Sequence, residues 1–259
     1  MGLRRDGASL EVLTELLSGP DRHLARAAGH AIAARGHALE PDLAERLVAL
    51  ESSRAARAAA AGQAVAGTGR AEHLRRALDD EIRACGRQAR CLVGAAFGNQ
   101  WLSRTVAKLA SSADGDRALA VETLELELGR RTAARLLELV DPDVDDDGRR
   151  ALLAAAAPSG GRAAGPWLNE LLDDPHTYWR DDWLRACALY AASELAPESA
   201  AAAALTWQDA ADPGLAETAR WLRGELARGV DNGMGVMLGK AYLRTCGLHG
   251  MTERQGEVG

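Results

Sequence analysis

Lysine is almost missing from this chain: Lys108 and Lys240 are the only two among 259 residues. Phenylalanine is rarer still, with Phe97 alone, and aromatics make up 4% of the residues. β-branched side chains are sparse, so extended strands have little to be built from. No apolar run approaches the roughly 20 residues that a membrane span needs. The opening MGLRRDGASLEVL lacks the apolar core of a secretory signal, and Asp6 stands where a myristoylation signal carries Ser or Thr. The four cysteines, Cys85, Cys91, Cys187 and Cys246, form no C-x-x-C pair. They read as reduced, mostly buried thiols. The net charge is −6, with acids and arginines interspersed rather than gathered into a basic stripe. That pattern suits a solvated helical surface and argues against a nucleic-acid partner. A cytoplasmic protein with no membrane insertion is expected.

Alanine, leucine, arginine and glutamate, all strong helix formers, fill the space instead. With 47% hydrophobic residues the chain can bury a continuous core. An all-α fold is expected. Arginine in place of lysine, with abundant Ala and Gly, looks like high-GC bacterial coding.

One phrase recurs: LLSGPDRHLARAAGHAIA, LASSADGDRALAVETLEL, LLDDPHTYWRDDWLRACAL and ADPGLAETARWLRGEL. Each has a polar turn with an aspartate (Asp21, Asp114, Asp174, Asp212), followed by small and apolar residues at helical spacing. A repeated helix-turn-helix unit predicts an α-solenoid of HEAT-like antiparallel helix pairs over residues 1–230. Residues 231–259 are glycine-rich and read as a tail or linker with at most one short helix.

Punctuation places the helices. Asp21 caps a helix that Gly36 closes. Pro41 begins the next, with Leu43, Leu47 and Leu50 on one face. Ser52 or Ser53 opens an alanine-rich helix ending near Ala66. Leu74, Leu78, Ile82, Cys85 and Ala89 stripe a long helix to Phe97, although Gly86 and Gly94 weaken it. Later helices cover 100–110, 116–128, 130–140, 145–157, 161–172, 183–195 and 200–211, with a last one opened by Pro213.

The stretches LRRALDDEIRACGRQARCLVGAAF, SSADGDRALAVETLELELGRRTAARLLELVDPD and LLDDPHTYWRDDWLRACALYAASEL resemble the HEAT-repeat region of bacterial nucleotide-transporter-like major-facilitator proteins. The tail VMLGKAYLRTCGLHGMTERQGEV is similar to the connector that leads, in that family, into a cyclic-nucleotide-binding domain. The resemblance spans Leu74 to Val258 at the level of repeats. It implies a cytosolic helical adaptor. It carries over neither transport nor a nucleotide-binding residue, because the segments that would hold them have no counterpart here.

Few constellations suggest chemistry. Asp143, Asp145, Asp147 and Gly148 match the start of a calcium loop, but Ala151 and Ala154 replace its later ligands. An acidic turn before a helix N-terminus is the simpler reading. His23, His30 and His37 are seven apart and drift round a helix; His73, His176 and His249 are isolated. No zinc spacing, nucleophile elbow or phosphate loop occurs, so no metal or cofactor is expected. Cys187 reads as core.

The aromatic cluster is the most suggestive feature. Trp167, Tyr178, Trp179 and Trp183 fall together beside Arg180, Asp181, Asp182 and Arg185. Tryptophan and arginine are enriched at interface hot spots. Tyr178, Trp179, Arg180 and Trp183 are therefore the candidate partner-binding residues. The competing structural reading has Trp167 and Trp183 filling the gap between repeats, with Trp207 and Trp221 in the core. The expected function is a non-catalytic scaffold or adaptor that binds a protein or peptide. The alternatives are a HEAT-like DNA-binding enzyme resembling the alkylpurine DNA glycosylases, which the acidic charge opposes, and a regulatory connector of a transporter-like or cyclic-nucleotide-responsive system.

Overall fold

A computed structural model of the protein describes residues 3–19, 21–36, 38–65, 69–111, 114–157, 161–174, 179 and 181–231. These residues form eleven helices and no strand. In order they are α1 (Leu3–Ser18), α2 (Arg22–Arg35), α3 (Pro41–Ala64), α4 (Ala71–Phe97), α5 (Asn99–Leu109), α6 (Asp114–Val140), α7 (Asp146–Ala156), α8 (Ala164–Asp173), α9 (Asp182–Leu195), α10 (Pro197–Trp207) and α11 (Pro213–Asp231). The all-α expectation is met. None of these helices is long and apolar enough to cross a membrane.

The helix starts follow from the aspartates. A carboxylate at the N-cap accepts a backbone N–H that has no partner inside the helix. Asp21 does this for Leu24 (3.0 Å), Asp145 for Gly148 (2.7 Å), Asp181 for Leu184 (2.9 Å) and Asp212 for Leu215 (2.8 Å). Gly36 closes α2 as expected. Within α6 the backbone leaves the helical region at Gly129 (φ 73°, ψ 149°), so residues 116–128 and 130–140 are two helical segments, as the sequence predicts. Only glycine accepts that φ without a Cβ clash.

Two expectations fail in α3. No helix begins at Ser52 or Ser53: α3 runs unbroken through both. Two serines without a glycine or proline cost only a few tenths of a kcal/mol each in a helix of alanine and arginine. Nor is the Leu43–Leu47–Leu50 face the buried one. Ala44, Val48, Ser52 and Ala55 are buried, while Leu50 is exposed. The alanine tract that follows, with Ala55, Ala56, Ala58, Ala59, Ala60 and Ala61 all buried, sets the rotation of the helix and leaves Leu43 and Leu47 only half-buried and Leu50 exposed.

The chain divides into two compact units, residues 1–63 with 78–161, and residues 64–77 with 162–259. In the first, the predicted stripe of α4 is buried throughout: Leu74 and Leu78 through Ile82, Cys85 and Ala89, with Leu74 falling on the second unit's side of the division. Gly86 has a packing reason. A Cβ there would lie 3.0 Å from the carbonyl oxygen of Leu139, so the backbones of α4 and α6 approach closely at a position that favours glycine.

The first unit also buries charge. Arg22 (α2), 2% exposed, donates to Glu51 of α3 at 2.9 Å and to Glu81 of α4 at 2.6 Å. Arg26 donates to the other oxygen of Glu81 (2.6 Å), and Arg54 to Glu51 (2.9 Å). Burial alone would depress the Arg22 guanidinium, but Glu81 and Glu51 reverse that and hold it above its ordinary value. Burial likewise would raise the Glu81 carboxyl, and Arg22 with Arg26 holds it below the usual carboxylate range instead. The network ties α2, α3 and α4 together.

In the second unit α8 packs on α9, and α9, α10 and α11 pack on one another. Trp167 is fully buried, with the Arg162 guanidinium 4.6 Å from its ring centroid.

Candidate functional site

The aromatic cluster of the sequence comes apart in the structure. Trp179 is 3% exposed, which corrects its reading as a surface anchor. The cause is Asp174. It ends α8 in a left-handed conformation (φ 38°), and both its carboxylate oxygens accept the Trp179 N–H at 3.2 Å. Arg185 of α9 donates to the same carboxylate at 3.2 Å. This carboxylate holds the Trp179 backbone at the end of α8, where the indole is buried. Tyr178 and Arg180 lie outside the described residues. Trp183 reverses its other reading: it is 67% exposed and fills no gap. Trp221 is 37% exposed rather than core, and Trp207 is half-buried, with the Arg185 guanidinium 5.9 Å from its ring. Trp167 is core, as expected.

What the structure assembles is a groove of about 520 Å³ in the second unit. Two helices supply its walls with the same spacing. From α9 come Trp183, Ala186, Cys187 and Tyr190; from α11 come Gly214, Glu217, Thr218 and Trp221. Positions i, i+3, i+4 and i+7 share one helix face. In the α9 set rings stand at both ends with Ala186 and Cys187 between them, and in the α11 set Gly214 leaves space opposite the ring of Trp221 at the other end. His73 of α4 completes the lining.

Aromatic contacts hold one end. Tyr190 and Trp221 have ring centroids 5.4 Å apart, and the His73 ring meets Tyr190 edge-on at 5.7 Å. The Arg70 guanidinium lies 5.1 Å from both the Tyr190 and Trp221 centroids. It is fixed there by a 2.5 Å hydrogen bond to the Ser193 hydroxyl, and the Arg70 N–H donates to the Glu194 carboxylate at 3.2 Å. Sequence reading missed Arg70, His73, Tyr190 and Glu217. The α9 and α11 members were legible as matched i, i+7 pairs. Arg70 and His73 lie far upstream and carried no signal.

The groove holds no activated nucleophile. Burial, with Asp181 adding to it, pushes the Cys187 thiol up to about 11, so it stays protonated at neutral pH. A thiol–imidazole contact does occur in the first unit, where Cys91 Sγ lies 3.3 Å from His30 Nδ1. Burial raises the Cys91 thiol too, so it stays protonated beside the imidazole. A reactive cysteine needs the opposite shift.

The acidic turn before α7 is engaged by arginines. Asp143 pairs with Arg117 (2.5 Å), Asp146 with Arg83 (3.0 Å) and Asp147 with Arg150 (2.9 Å), while Asp145 caps the helix. No cluster of metal-ligating side chains occurs among the described residues. A second cavity, of about 450 Å³ between α3 and α6, brings Arg46, Arg130, Arg131 and Arg135 together, with Glu45 and Glu127 among them.

No family model, curated protein or solved structure matches the chain.

Proposed function

We propose that this protein is a non-catalytic helical-repeat adaptor whose α9–α11 groove binds a segment of a partner protein. The observation that carries the reading is the exposed aromatic wall of that groove. Trp183 and Trp221 present ring surface to solvent in a chain with only six tryptophans. Exposed tryptophan beside a hollow of small residues is the composition of an interaction hot spot. The raised Cys187 thiol on the groove floor supports binding over catalysis. The HEAT-like solenoid reading is part of the same proposal. It draws support from sequence-adjacent helices packing on each other, α1 with α2 and α8 through α11 in turn. In the transporter-like proteins that the sequence resembles, such a module would serve as a regulatory connector.

Selection of random peptides displayed on phage against the full chain tests the reading. Selected peptides are expected to bind the wild-type protein, and Trp183→Ala with Trp221→Ala should weaken them at least tenfold, the scale of a tryptophan hot spot. Circular dichroism should show the helices retained, because Trp183 is 67% and Trp221 37% exposed. Peptides that bind equally well to the double variant would refute the groove as the docking site.

A further inference from the structure

We propose that the groove between α9 and α11 receives a cationic side chain, arginine foremost, from the partner segment. This deepens the adaptor reading and rests on it.

The first support is a precedent inside the protein. Tyr190 and Trp221 already accept one guanidinium, that of Arg70, 5.1 Å from each centroid. Ring faces carry the negative part of the aromatic quadrupole and attract cations. Trp183 lies seven residues along α9 from Tyr190, about 10 Å of helix. It lines the same groove at 67% exposure, so most of its ring is open to solvent. The open ring therefore repeats, farther along the wall, the surface that Arg70 covers at Tyr190.

The second support is charge. Glu217, exposed on the α11 wall, is the one carboxylate lining the groove, and no lysine or arginine lines it. Exposed Asp182, which also accepts a long 3.5 Å contact from Arg185, sits beside Trp183 at the start of α9. A guanidinium entering from solvent can thus stack on the indole and pair with a carboxylate at once. An acidic side chain on Trp183 would face Glu217, because the one guanidinium near the groove, that of Arg70, is engaged at the Tyr190–Trp221 end. A purely apolar one would leave Glu217 without a countercharge. Arginine is preferred to lysine because its planar, weakly hydrated head stacks on rings.

The test uses fluorescein-labelled peptides Ser-Leu-Ser-Xaa-Ser-Leu-Ser, with Xaa as Arg, Lys, citrulline, Leu or Glu, read by fluorescence anisotropy on the full chain. Citrulline keeps the shape of arginine without its charge. The Arg peptide should bind about tenfold more tightly than the citrulline peptide, with Lys between them and Glu weakest. Glu217→Gln should narrow the Arg–citrulline gap, and Trp183→Ala should abolish it. If Arg and citrulline peptides bind alike and both depend on Trp183, the cation preference is wrong while the adaptor reading stands. If no peptide shows Trp183-dependent binding, both fall. A dimer that dissociates on Trp183→Ala would make a second copy of the chain the occupant and overturn the proposal as well.

Discussion

Replacing Glu81 by alanine is expected to destabilise the first unit by about 3–5 kcal/mol, the usual cost of removing one partner from a buried ion pair. Glu81 accepts from Arg22 and Arg26, and its loss leaves three guanidiniums, those of Arg22, Arg26 and Arg54, around Glu51 alone. Arg22→Met should cost less, although Arg22 is the most buried member. After that change Glu81 keeps Arg26 and Glu51 keeps Arg54. The two variants therefore separate a charge-count effect from a burial effect. Chemical denaturation gives the magnitudes, and hydrogen exchange should show the loss confined to α2, α3 and α4. A larger cost for Arg22→Met than for Glu81→Ala would contradict this account. The network also sets an acid limit. The Glu81 carboxyl is held below its ordinary value in the folded state. Its contribution is complete above the unfolded value of about 4.3, where the group is ionised in both states. Below that the unfolded chain takes up the proton first, so stability falls as pH drops towards the folded value. Glu81→Gln should flatten that slope.

The second large effect belongs to Trp167. It is fully buried in α8, and its truncation to alanine removes the largest of the fully buried side chains. Such changes cost about 3–5 kcal/mol, because neighbours relax only partly into the space. The Arg162 guanidinium, 4.6 Å from the ring and paired with Glu170 at 2.8 Å, loses its stacking surface as well. A fall in Tm of about 10 °C is expected, with exchange rising in α8 and α9 and the α2–α4 network unaffected. Trp167→Phe should recover part of the loss by restoring a ring under Arg162. The contrast with Trp183, 67% exposed, is direct: its truncation should leave Tm nearly unchanged while weakening peptide binding.

Local information fixed the helices well. An aspartate before a helix acts within three or four residues, so of the four turn aspartates read from the sequence Asp21 and Asp212 do cap helices. Asp114 is instead the first residue of α6 and Asp174 ends α8, the cap of α9 being Asp181. The stripe from Leu74 to Ala89 showed which side of α4 is inside, because large apolar residues at one spacing leave no other choice. Periodicity misled where the apolar residues were small or spread all round. In α3 the alanines outweighed the leucines, and Leu50 faces water.

The sequence by itself determined an all-helical chain, its caps at Asp21 and Asp212, its lack of a metal or nucleophile motif, and a concentration of tryptophan near residue 180. Only the tertiary structure decided which tryptophans face outward. Asp174 holds the Trp179 backbone where the indole is buried, and the packing of α9 on α11 leaves Trp183 and Trp221 at the surface of a groove. It also brought Arg70 to Tyr190, and Arg22 to Glu51 and Glu81, across long stretches of chain. Such meetings depend on how helices are rotated and stacked, and that rotation is settled by the summed packing of many small side chains rather than by any local motif.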